Sequence, residues 1–195
     1  MNFFRPMILV AREAYKLRRQ LTEDELCSVI TADLLQKEEV LFQRAVGLLA
    51  ISWAFVELAL DYTNEIIITR GGIATHTKLP QSLRLKIALF RKYVFSHAPL
   101  VSTRTRGEQI IYEINELKIV RHDIIHGTAN TRLPTGLREF QRHDYVGPRL
   151  VPYVKNYSLR EIANATERNM ALTTLIISYI REIDAILPEN NPDDP

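Results

Sequence analysis

The chain has 195 residues, 46% of them apolar and 25% charged, with a formal net charge of +2. That size and balance suit one water-soluble globular domain with a self-sufficient core. The lone Cys27 cannot close an intramolecular disulfide, and the first twenty residues lack the apolar stretch and small-residue cleavage site of a signal peptide. A cytoplasmic protein is expected.

In chain order, Thr22 and Glu25 match a capping box, with Leu21 and Leu26 as its hydrophobic staple. A first helix is expected from Glu23, ending near Gln36 or running on, because nothing between breaks it firmly. A second is expected from Glu38 to Arg70, stopped by Gly71-Gly72. Its run Ala45–Val56 is apolar nearly all round, too short to span a membrane and closed by Glu57. It reads as the central core helix, Trp53 and Phe55 included, with a bend near Gly47.

A third helix is expected over Gln81–Phe95, after Leu79-Pro80. A fourth begins between Thr103 and Glu108 and carries the apolar stripe Ile110, Ile114, Leu117, Ile124, Ile125 up to Gly127 as its C′ residue. Residues 132–157 lose helical periodicity, and Gly147-Pro148 suggests a loop or short β-hairpin. The last helix starts at a second capping box, Ser158 to Glu161, with Tyr157 and Ile162 as staple, and ends near Leu187. Residues 188–195 are acidic, proline-rich and expected to form a disordered tail. The fold class is all-α: a bundle of four to five helices over residues 1–187, with one irregular or hairpin excursion.

Charge is unevenly placed. Residues 66–107 contain no Asp or Glu but carry Arg70, Lys78, Arg84, Lys86, Arg91, Lys92, Arg104 and Arg106. A local basic surface attracts phosphate even when the whole chain is nearly neutral. Arg84, Lys86, Arg91, Lys92, Arg104 and Arg106 are the RNA-binding candidates. The plainer alternative is a solvated face whose counter-charges come from elsewhere. The rings of Phe90, Tyr93 and Phe95 are expected to pack inward rather than stack bases.

Chemistry concentrates at the end of helix four, in Arg121-His122-Asp123-Ile124-Ile125-His126-Gly127. His122 and His126 are one turn apart on one face. Arg121 follows Leu117 by one turn at the edge of the apolar stripe, where a guanidinium needs an anion or carbonyls.

This string resembles the signature of the HEPN superfamily, helical domains many of which are metal-independent ribonucleases: Arg, a polar residue, three more residues, then His. The match is specific over Arg121 to Gly127, and the helix order agrees over about residues 40 to 187. The resemblance implies an endoribonuclease without cofactor or metal, using Arg121 and His126 as catalytic residues, with His122 in the polar second position. It implies a homodimer in which two motifs meet to form one composite site, and products ending in 2′,3′-cyclic phosphate. Asp123 and Glu57 are supporting residues. Glu57 either holds Arg121 in place or forms an ordinary buried ion pair. RNA is the expected partner, no membrane is expected, and a regulatory protein partner or a toxin-like defence role fits the family. HEPN toxins neutralised by a nucleotidyltransferase carry Tyr two residues after the His. Thr128 stands there, which argues against that pairing.

Three other readings stay open. His122-Asp123-x-x-His126 looks like a zincin pattern with Asp for Glu, and His143 is the one candidate third ligand. A non-catalytic RNA- or protein-binding module would keep the basic stretch. Alternatively, Arg121 and His126 merely cap a helix C-terminus, where cations are favoured. Walker A, G-x-G-x-x-G, G-x-S-x-G and paired-cysteine signatures are absent.

Overall fold

A computed structural model describes residues 23–71, 79–132 and 136–187. The expected first capping box, Lys78 and the acidic tail fall wholly or partly outside them. The chain divides into two compact units, Met1–Arg44 and Ala45–Pro195. The described part of the first is helical from Glu23, with Gln43 donating to Glu39 on its exposed side. Everything that follows concerns the second.

The described residues are mostly helical, with four α-helices: α1 (Glu23–Arg70), α2 (Leu83–Ser96), α3 (Arg104–His126) and α4 (Leu159–Ile186). A six-residue 3-10 turn, Ala98–Thr103, links α2 to α3, with Pro99 near its start. The two helices expected before Arg70 are one, because no Gly or Pro interrupts Gln36–Glu38 and the helix runs unbroken through Gly47. Helix α2 starts two residues later than expected because Ser82 caps it, its hydroxyl accepting from the Leu85 amide.

The excursion is a three-stranded antiparallel sheet, β1 (Thr128–Arg132), β2 (Arg138–Val146) and β3 (Arg149–Tyr157), in that order. Gly147 and Pro148 join β2 to β3 as a two-residue turn, with Gly147 at φ 61°. A first central glycine at positive φ suits the right-handed twist of a hairpin. Strand β1 was not expected; its sequence Thr-Ala-Asn-Thr-Arg has no alternation of apolar and polar residues.

The core gathers Leu49, Trp53, Val56 and Leu60 from α1, Phe90 and Val94 from α2, Ile110, Ile114 and Leu117 from α3, and Leu172, Ile176 and Tyr179 from α4. Each such side chain contributes roughly 1.5–3 kcal/mol by leaving water. Buried polar groups find partners across helices: Asn169 with Ser52 (3.0 Å) and Tyr179 with Thr103 (3.0 Å). The Gly107 position lets α2 and α3 approach, since a Cβ there would stand 2.5 Å from Val94 Cγ1.

Helix α1 is not buried all round. Leu48, Ile51, Phe55, Leu58 and Tyr62 are exposed, at alternating spacings of three and four. That is a second stripe, opposite the core-facing one, so Phe55 is a surface residue while Trp53 is core. By length and composition Leu34–Arg70 also passes the test for a membrane-crossing helix, as core helices do.

The capping box that opens α4 forms in full. Ser158 Oγ accepts from the Glu161 amide (3.1 Å), and Glu161 accepts from the Ser158 amide (2.7 Å). Tyr157 and Ile162, the expected staple, are both buried.

Candidate functional site

Arg121, His122 and His126 stand together in the last turns of α3. Arg121 Nη1 lies 3.0 Å from His126 Nε2. Arginine can only donate, so Nε2 accepts and the ring proton of this neutral imidazole sits on Nδ1. The rings of His122 and His126 are 5.0 Å apart between centroids, tilted at 59°. Arg121 reaches back toward the core side of α3, where its other Nη is 3.9 Å from Glu57 Oε1. Glu57 also accepts from Trp53 Nε1 at 2.6 Å. The arginine at the stripe edge thus has its anion, a carboxylate one helix away.

Asp123 faces the other way. It is 1% exposed, and both its oxygens are engaged. Arg142 Nε donates to Oδ1 at 2.7 Å, and the Tyr157 hydroxyl donates to Oδ2 at 2.6 Å. Arg142 also pairs with Asp144 and lies over the Tyr153 ring, 4.3 Å from its centroid. The cross-strand register sets this stack, since Arg142 faces Tyr153 directly. One buried carboxylate therefore ties the end of α3 to the sheet. Burial and the bond to Asp123 push the Tyr157 hydroxyl above its ordinary range.

Gly127 completes the junction. It is the C-cap, extended at φ −81°, ψ 151°, rather than a left-handed C′ residue. Its amide donates to Asp123 O at 3.0 Å, and an added Cβ would fall 2.2 Å from that oxygen. Glycine is required for space, because β1 leaves the helix directly under Phe140.

Beside this turn lies a cleft of about 390 Å³, lined by Leu83, Arg84, Ile87, Lys118, Ile119, Arg121, His122 and Arg142. It has an apolar floor and four cations. Loss of hydration, then the charges of Arg142 and His126, hold the His122 imidazole below its ordinary value, against the pull of Asp144 and Asp123. Arg142 and Lys118 were not among the sequence candidates. Arg142 sits in a β-strand 21 residues from Arg121, and only the hairpin register delivers it.

The expected RNA-binding set does not gather in one place. Arg84 lines the cleft. Lys86 is a correction: it is buried and paired with Asp61 at 2.6 Å, so its charge is already compensated. Arg106 is another, paired with Glu182 at 2.6 Å. Arg104 donates to Phe95 O and lies over its ring, which Arg91 shares, while Lys92 lies over Tyr93. Arg104 is seventeen residues from Arg121 along α3, roughly 25 Å at helical rise. Much of the acid-free stretch is thus balanced by acids from outside it, Asp61, Asp184 and Glu182.

The zinc pattern does not assemble. Asp123 spends both oxygens on Arg142 and Tyr157, and His143 alternates to the opposite sheet face from Arg142. Among the described residues no three His, Cys, Asp or Glu side chains cluster to hold a metal.

Comparison of the chain with protein-family models, with curated proteins and with solved structures finds no match.

Proposed function

We propose that this protein is a metal-independent endoribonuclease of the HEPN type, acting as a homodimer with a composite site. The observation that carries the reading is the 3.0 Å contact between Arg121 Nη1 and His126 Nε2, at the rim of a cationic cleft. A cation that stays charged and a ring nitrogen with a free lone pair are the minimum set for cleavage at a phosphodiester.

In the proposed reaction the substrate 2′-oxygen attacks phosphorus and the bond from phosphorus to the 5′-oxygen breaks. One His126 takes the 2′-hydroxyl proton. The partner's His126, protonated, gives a proton to the leaving 5′-oxygen. Arg121 leaves His126 and clamps the non-bridging oxygens, where charge gathers. One motif holds a single His126, so a base and an acid of this kind need two copies. His122, held neutral by its surroundings, would orient the scissile group. Glu57 keeps Arg121 extended at the cleft until phosphate arrives.

The test is cleavage of total RNA in EDTA by the purified protein and by Arg121→Ala and His126→Ala. The reading expects the parent to cleave, leaving 2′,3′-cyclic phosphate ends, and both variants to lose at least about a hundredfold in rate, within the span of a general acid–base contribution. Equal cleavage by all three, or by none, removes it.

A further inference from the structure

We propose that Arg142 is a second phosphate-binding arginine of this cleft, that Asp123 is the positioning residue that holds it there, and that Asp144 occupies its outer edge until RNA displaces it. The proposal rests on the ribonuclease reading above and extends it to a residue outside the motif.

The argument starts from how the guanidinium is used. It has five N–H donors in a fixed plane. Asp123 takes Nε and Asp144 takes one on Nη1, leaving the Nη2 pair without a partner among the described residues. The ring of Tyr153 covers one face at 4.3 Å. The side chain lines the cleft beside Arg121 and His122. It is therefore aimed, anchored on its inner side and incompletely used.

The two carboxylates differ in kind. Asp123 is 1% exposed, fixed by the Tyr157 hydroxyl and part of the core. Asp144 is 39% exposed and sits towards the hairpin tip. An exposed carboxylate on an arginine is worth little net free energy, so a phosphate can replace it at small cost. A phosphate offers the same planar, bidentate match with more charge. Arg142 would hold a phosphate flanking the scissile one, which Arg121 holds. Its effect then falls on binding rather than on bond breaking.

The test uses the full-length protein and a 2′-O-methyl RNA oligonucleotide, which has no nucleophilic hydroxyl. Binding is measured across a salt series for the parent, Arg142→Gln and Asp144→Asn. Arg142→Gln keeps a donor for Asp123, and thermal unfolding identifies the variants that fold. Arg142→Gln is expected to weaken binding about tenfold. It should flatten the dependence of log Kd on log salt by about 0.7, the share of one phosphate contact on a single strand. Asp144→Asn is expected to tighten binding, which a merely structural ion pair would not do. Cleavage of the matching all-ribose RNA by Arg142→Gln should show a raised KM with kcat within about threefold.

Parent-like affinity and salt slope in folded Arg142→Gln, or no tightening in Asp144→Asn, overturns the proposal. If Arg142→Gln unfolds, Asp144→Asn alone decides. Arg121-dependent cleavage of RNA with those outcomes would sink this inference and leave the ribonuclease reading standing. No binding and no cleavage by the parent would sink both.

Discussion

A carboxylate at 1% exposure stays charged only where donors meet it, and Asp123 meets Arg142 and Tyr157. Removing it strands a buried guanidinium and a phenol together. Asp123→Ala should cost about 3–5 kcal/mol in urea unfolding, the range for breaking a buried pair from one side. Tyr157→Phe removes one charge-assisted bond and should cost about 1.5–3 kcal/mol. A loss under 1 kcal/mol for Asp123→Ala would mean that the sheet is not anchored there. His122 supplies a pH test. Desolvation chiefly, and Arg142 next, hold it below its ordinary value, so the unfolded chain binds its proton more tightly than the folded one. Its contribution is complete above about pH 6.5 and falls as acid brings the pH down through the lowered folded value. Stability of the parent should drop across that window, and His122→Gln should drop less. Parallel curves would exclude His122 as the source.

At the scale of elements, the junction of α3 with β1 is the most constrained place in the fold. Gly127→Ala should destabilise by about 1–3 kcal/mol, because the new methyl overlaps a carbonyl that already accepts the helix's last bond. Wild-type stability in that variant would contradict the close packing. Ser158→Ala should cost about 1 kcal/mol, the worth of an N-cap with its reciprocal partner. The helices and the hairpin turn were legible in the sequence because their signals are local: caps at Ser82 and Ser158, Pro99 between α2 and α3, Gly147-Pro148. Arg121, His122 and His126 were legible for the same reason, lying within six residues. Strand β1 was not, since its pairing partner β2 imposes the extended form on a polar segment. Nor was the place of Arg142, set by the hairpin register. Lys86 and Arg106 misled because their acids, Asp61 and Glu182, are supplied by other helices.

For the whole molecule, the proposed chemistry makes activity a matter of association. One chain supplies one Arg121 and one His126, so cleavage per chain should fall as the protein is diluted through its dimer dissociation constant. Rates that stay proportional to concentration while sedimentation reports a monomer would refute the composite site. The exposed stripe Leu48, Ile51, Phe55, Leu58, Tyr62 is a contiguous apolar surface in a chain whose charge is nearly balanced. Surfaces of that kind take up hydrophobic dyes and self-associate.

The short passage from His126 through Gly127 into β1 has one more result. Helix ends ordinarily fray, and their last amides exchange with solvent within the native state. Here the final turn of α3 is clamped by a strand that begins one residue after Gly127 and by a carboxylate held from β2 and β3. The amides around His126 should therefore exchange deuterium together with those of the sheet, as one cooperative unit. Loosening the distant hairpin would then release the histidine without unfolding the bundle, so the two would share a single opening free energy.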